Sequence, residues 1–280
     1  MIKSFYVAED AKDALRRKRE LDGRGMFLAG GTEINRLGSS FQAEKVISIR
    51  HIGCDRIEEV NGAVRIGSCA TFQQLIDSPI VPCWLKDAAK YCNSRTKRNM
   101  ATVGGNLAIG RDDSYLMPAL LAAKARLLTA GLTEEGVYTE DELPIREYHA
   151  FQDHFSGTLI LAIVLNKPDR FIATKRFSRT AQSHAAVTVG FGAGRDEAGN
   201  PSDVRIFAAV KGSGIQRFSD IENSIEGDAY NSPDDVQFAV SSMTKAEDDL
   251  AGSAAYKRYI AGVAVSDLYR LFLDSTGGAK

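Results

Sequence analysis

An α+β fold follows from three observations on the sequence. Helical spacing over residues 9–21 runs into Met26-Phe27-Leu28, a glycine turn and Val46-Ile47-Ser48-Ile49, the order of a small parallel α/β unit. Asn61-Gly62 between the apolar segments 57–60 and 63–66 is a strong hairpin signal, so antiparallel pairing joins the parallel unit and a mixed sheet is expected. Beyond residue 168 strands cluster first and helices follow, which marks a second, smaller α+β domain.

Each element has its own warrant. Ala11, Ala14, Leu15 and Leu21 keep one face of the first helix apolar, and Arg16-Arg17-Lys18-Arg19 reads as its solvated face. Residues 82–91 form a helix through Leu85, Ala88 and Ala89 and deliver Arg95, Lys97 and Arg98 ahead of a second glycine turn. Those three cations read either as a local positive potential for a phosphate or as solvated turn residues. The apolar run 116–128 makes a buried helix and strand, and 157–165 another strand. Asn166-Lys167-Pro168-Asp169 is the linker. Strands then fall near 171–175, 185–191 and 204–211, with a polar hairpin loop over 195–201. Tyr256, Ile260, Val263, Ala264, Leu268, Leu271 and Phe272 recur at helical spacing before a frayed tail over 275–280.

Composition excludes several functions. The 280 residues carry 35 basic and 36 acidic side chains, a net charge of −1, so neither nucleic acid nor an anionic membrane is an expected partner. No apolar signal core and no membrane-length apolar stretch is present, and a cytoplasmic location is expected. Cys54, Cys69, Cys83 and Cys92 form no Cys-x-x-Cys pair or tight cluster, so no metal or iron–sulfur site is expected, and they read as reduced and mostly buried. His51, His149, His154 and His184 are scattered and read as structural or surface residues. Ser183 beside His184 lacks the surroundings of a nucleophile.

The functional signal lies in two turns, Ala29-Gly30-Gly31-Thr32-Glu33 and Ala101-Thr102-Val103-Gly104-Gly105-Asn106. Paired glycines bend the chain tightly and expose consecutive backbone N–H groups, which suits an anion. Together the turns read as two cradles for one extended phosphate ligand, and each alone as an ordinary turn.

These turns, with Arg98-Asn99-Met100 leading into the second and Asp249-Leu250-Ala251-Gly252-Ser253-Ala254-Ala255-Tyr256-Lys257-Arg258 near the end, resemble the FAD-binding subunit of molybdenum hydroxylases. The flavin subunits of xanthine dehydrogenases and carbon monoxide dehydrogenase belong to that family. The resemblance covers nearly the whole chain in matching order. It implies an FAD-binding domain of two α/β subdomains with mixed sheets over residues 1–168, then a smaller domain with a three-stranded antiparallel sheet and helices over 169–280.

The resemblance also implies roles for single residues. Phe27, Leu28, Ala29, Gly30, Gly31, Thr32, Glu33 and Ile34 match the first FAD loop, where amides meet the pyrophosphate. Thr102, Val103, Gly104, Gly105 and Asn106 match the second. Lys175 matches a basic residue near the flavin, and Ile160 or Leu161 an apolar residue packed near its ring. Tyr115 stands where the family often has an aspartate, three residues before the proline matched by Pro118.

The expected function is electron transfer through FAD to NAD or another acceptor, with a molybdenum-cofactor subunit and a 2Fe–2S subunit as partners. A free-standing flavin NAD(P)H oxidoreductase and a non-catalytic assembly protein that has lost FAD are the alternatives.

Overall fold

The computed structural model describes residues 2–35, 43–168, 170–230 and 232–275. Asp169 of the expected linker and residues 276–280 of the expected tail lie outside the described residues. The chain begins β1 (Ser4–Val7), α1 (Ala11–Glu20), β2 (Gly25–Leu28), β3 (Lys45–Ser48), β4 (Ile57–Val60), β5 (Ala63–Gly67). It continues α2 (Phe72–Asp77), α3 (Cys83–Lys90), α4 (Arg95–Arg98), α5 (Val103–Ala108), α6 (Met117–Ala122). Next come β6 (Arg126–Leu132), β7 (Tyr138–Pro144), α7 (Ile145–Ala150), β8 (Leu159–Leu165), β9 (Phe171–Ser178), β10 (Ala185–Arg195). The last elements are β11 (Pro201–Val210), β12 (Gly214–Arg217), α8 (Ser219–Glu226), α9 (Pro233–Met243) and α10 (Ala254–Asp274).

Two compact units result. The first comprises Met1–Val81, Ser94–Gly110 and Lys124–Asn166, and the second Pro82–Asn93, Arg111–Ala123 and Lys167–Lys280. Thus α3 and α6 group with the C-terminal strands, whereas a single cut at residue 168 assigns them to the first domain. The reason is apolar: every residue of α6 is buried, and the helix packs on β10 and β11.

In the first unit, parallel and antiparallel pairing separate. Strands run β1-β3-β2 in one wholly parallel sheet, and β4-β5-β8-β6-β7 in one wholly antiparallel sheet. The expected mixed sheet is therefore two sheets. Helix α1 is started by Asp10, whose side chain accepts from the Asp13 N–H, and its last turn carries Arg17, Lys18 and Arg19, where cations favour the helix dipole. Its buried Ala14 and Leu15 join Ile47 and Ile49 beside the parallel sheet and Ala130, Leu159 and Leu161 of the antiparallel one. The hairpin between β4 and β5 turns at Asn61 and Gly62, both with positive φ, as a tight two-residue turn requires.

In the second unit, four antiparallel strands run β12-β11-β10-β9, one more than the expected three. Alternation along β10 sends Val187, Val189 and Phe191 into a core with Ile221, Val236, Ile260, Leu268 and Phe272 of α8, α9 and α10. The opposite face receives α6. Each large apolar side chain so buried contributes about 1.5–3 kcal/mol. Fully buried Lys257 of α10 has its Nζ held by Asp249 Oδ1 and by the carbonyls of Lys211 and Glu247, each at 2.8 Å. The motif around Tyr256 thereby pins the segment before α10 to the end of β11.

Candidate functional site

The first glycine turn begins where β2 ends. The Leu28 carbonyl accepts from the Ile49 N–H at 2.9 Å, and the chain then leaves the parallel sheet at Ala29. Gly31 has φ +69°, the left-handed conformation that glycine adopts without strain. Its carbonyl accepts from Asn35 N–H at 3.0 Å, closing one helical turn over Thr32, Glu33 and Ile34. Among the described residues, the N–H groups of Gly30, Gly31, Thr32 and Ile34 have no acceptor. Unpaired amides grouped in a tight turn favour an anion.

Gly30 brings the two turns together. A Cβ there would lie 1.7 Å from the Met100 carbonyl oxygen, so only glycine lets the first turn seat on the segment leading into the second. That segment follows α4, whose Lys97 carbonyl accepts from Met100 and Ala101 N–H groups. Arg95 and Lys97 are exposed, and Arg98 donates from Nε to Gln73 Oε1 at 3.0 Å.

The second turn is built differently from the sequence expectation of open amides. Val103 N–H donates to the Ala70 carbonyl at 3.0 Å and Gly104 N–H to Ser68 at 2.8 Å. Gly105 N–H donates to Thr102 Oγ1 at 3.2 Å, and Asn106 N–H to the Thr102 carbonyl at 3.0 Å. These amides start α5 and tie it to the 68–70 segment. A Cβ on Gly104 would lie 2.6 Å from Ser68 Cβ, so this glycine serves protein packing. Of the two turns, the first presents amides without acceptors among the described residues.

The remaining expected residues fall as follows. Phe27 packs with the α1 core, and the Lys18 ammonium lies 4.7 Å from its ring centroid. Ile160 and Leu161 are both buried in β8; successive strand residues face opposite ways, and Leu161 joins the core with Ile49 and Cys69. All of these belong to the first unit. Tyr115 and Lys175 belong to the second. Lys175 ion-pairs with Asp267 of α10. Tyr115 lies under Arg176, whose guanidinium carbon is 5.4 Å from the ring centroid.

Two residues from the same segment as Tyr115 had no sequence signal. Asp113 is buried and bound by Arg111 at 2.6 and 2.8 Å, with His184 Nδ1 at 2.5 Å. Burial works to raise its carboxyl, but the Arg111 hydrogen bonds and charge, with Lys211 and His184, outweigh it and hold the group below the usual carboxylate range. Asp112 accepts from Lys211 Nζ at 2.6 Å and Gly212 N–H at 2.7 Å. Apart from the neighbouring Arg111, their partners His184, Lys211 and Gly212 lie 70 or more positions away and leave no local pattern to read.

The cysteines are all free thiols: Cys69 and Cys92 are buried, Cys54 is half-buried and Cys83 exposed. Burial pushes the Cys69 thiol up to about 11. Among the described residues no group of three or more His, Cys, Asp or Glu side chains is placed to hold a metal, and no helix is long and apolar enough to cross a membrane.

Comparison with known proteins bears on this site. Residues 1–167 match the family model of the FAD binding domain in molybdopterin dehydrogenase. An uncharacterized protein, YgfM of Escherichia coli K12, is 32% identical over 270 residues, 96% of each chain. Carbon monoxide dehydrogenase from Hydrogenophaga pseudoflava, in a form lacking the Mo-pyranopterin moiety of the molybdenum cofactor, contains a chain with TM-score 0.81 and 22% identity, over 96% of each chain. Quinoline 2-oxidoreductase from Pseudomonas putida 86 gives 0.81 at 17% identity, over 97% of this chain and 96% of the other. These two likenesses show the shared fold. The family match over more than half the chain goes further: this protein belongs to the FAD-binding flavoprotein family of the molybdopterin dehydrogenases.

Proposed function

We propose that this chain is the FAD-carrying subunit of a molybdenum hydroxylase complex of the xanthine dehydrogenase type, taking electrons from a 2Fe–2S subunit and passing them to NAD or another acceptor. The observation that carries the reading is the arc of amides at Gly30, Gly31, Thr32 and Ile34, which have no acceptor among the described residues, seated on Met100 by a glycine that tolerates no side chain. Such an arc fits the pyrophosphate of FAD, each amide-to-phosphate bond contributing about 1.5–3 kcal/mol. The second turn, tied to Ser68 and Ala70, follows the Met100 segment on which the first turn sits.

Bound FAD supplies the two-electron acceptance that lets single-electron donors meet a two-electron acceptor. The chain's own part is to hold and tune that group. No clustered cysteines for an iron–sulfur centre occur among its four, which supports separate electron-delivering partners.

The test is coexpression with molybdenum-cofactor and 2Fe–2S subunits. One copurifying complex is expected, and flavin reduction by a hydroxylase substrate is expected only in that complex. Substrate-dependent flavin reduction by the isolated chain contradicts the reading.

A further inference from the structure

Two of the free thiols, Cys54 and Cys69, share one place in the first unit. β4 and β5 pair from Val60 and Ala63 at the hairpin turn to Ile57 and Ile66 at its open end. Beyond that end the two chains stay bonded. The Gly67 N–H donates to the Arg56 carbonyl at 2.8 Å and the Cys69 N–H to the Cys54 carbonyl at 2.7 Å. Gly67 permits the close approach, because a Cβ there would strike the Cys54 carbonyl. With standard bond lengths, the hydrogen bond between the two cysteines holds their Cα atoms within about 7 Å, the limit for a disulfide.

Both side chains enter the same core. Cys69 is buried there with Ile49 and Leu161, and half-buried Cys54 packs against it. The Cys69 Sγ donates to the Ile49 carbonyl at 3.3 Å, a weak bond that a turn of this small side chain gives up. Burial raises both thiols, Cys69 to about 11 with the Cys54 charge adding to the rise. Neither is an activated nucleophile. What the pair offers is nearness.

We propose that Cys54 and Cys69 are a reversible oxidation site of this chain, joined by hydrogen peroxide into a disulfide that staples the open end of the β4–β5 hairpin. The half-buried Cys54 sulfur attacks one peroxide oxygen; the O–O bond breaks, water leaves and Cys54 becomes a sulfenic acid. The Cys69 sulfur then attacks the Cys54 sulfur, the S–O bond breaks, and hydroxide leaves with the Cys69 proton as water. Two thiols lose two electrons and two protons, and the peroxide becomes two waters. A thiol reductant reverses the link by exchange. Cys69 lies between Ser68 and Ala70, whose carbonyls hold the Gly104 and Val103 amides, so the staple fixes the segment that carries the second turn. This chemistry is independent of FAD.

The test uses the full chain carrying Cys83→Ser, which removes the exposed thiol. The folded protein is treated with hydrogen peroxide and quenched, and its thiols are counted in denaturant before and after dithiothreitol. The count is expected to fall from three to one and to return to three with dithiothreitol. Mass spectrometry of the unreduced digest is expected to show the Cys54 and Cys69 peptides joined, two hydrogens lighter than their sum. The oxidised chain is expected to melt at a higher temperature than the reduced one, because the link restricts the unfolded hairpin. Adding Cys54→Ser should abolish both the link and the rise in melting temperature. An unchanged thiol count, a sulfinic acid at Cys54 without the link, or a link to Cys92 overturns the proposal. So does a Cys54–Cys69 link that forms only in urea or that lowers the melting temperature.

Discussion

Thr32 offers a clean test of a single amide. It follows the left-handed Gly31 at the first position of a helical turn, and its N–H has no acceptor among the described residues. Proline is tolerated at such a position, because the donor it removes is unused among the described residues. Thr32→Pro is therefore expected to leave the melting temperature of the flavin-free chain near wild type and weaken FAD binding about tenfold or more, readable by fluorescence titration. Unchanged affinity would show that this amide does not touch the cofactor. Gly104→Val is a poorer probe, since its side chain strikes Ser68 whether or not a cofactor binds. At the same scale, Lys257→Met leaves Asp249 and two carbonyls without their shared donor. A loss of about 3–5 kcal/mol in urea unfolding is expected, and a loss below about 1 kcal/mol would show that the methionine packs as well as the ion pair binds.

At the scale of elements, the segment before α6 is held by charge. Asp113 has its carboxyl depressed by Arg111, Lys211 and His184 against the opposing effect of burial. A depressed carboxylate adds stability above its unfolded pKa of about 3.9, and that stability is lost as pH falls through the folded value. Asp113→Asn is expected to cost about 3 kcal/mol at pH 7. The gap from wild type should narrow below about pH 4; a gap constant from pH 7 to pH 3 in denaturant titrations would show that the loss is steric. Most elements were legible because local signals agreed: the apolar stripe of α1 with its charged face, and Asn61-Gly62 with its flanking strands. β7 was not, since Glu140, Asp141 and Glu142 leave an exposed edge strand that only pairing with β6 stabilises. β12 was missed for a similar reason. Four residues with none fully buried carry no period, and β11 supplies the ladder.

For the whole molecule, sequence order and spatial grouping part company. Local patterns identified α3 and α6, yet which strands cover them depends on apolar faces meeting far along the chain. The candidate site shows the same division. Both glycine turns stood out in the sequence, but a glycine that opens amides to a ligand and one that admits a neighbouring backbone look alike there. Gly30 and Gly104 separate only when Met100 and Ser68 are in place. Lys175 and Arg176 differ likewise through distant Asp267 and Tyr115. The central claim, that this fold exists to carry FAD through its first glycine turn, is tested most directly by the flavin content of the purified chain. About one FAD per chain is expected, released intact on denaturation because no His or Cys sits beside either turn to bond it covalently. A colourless protein that takes up no FAD when titrated with it would contradict the account.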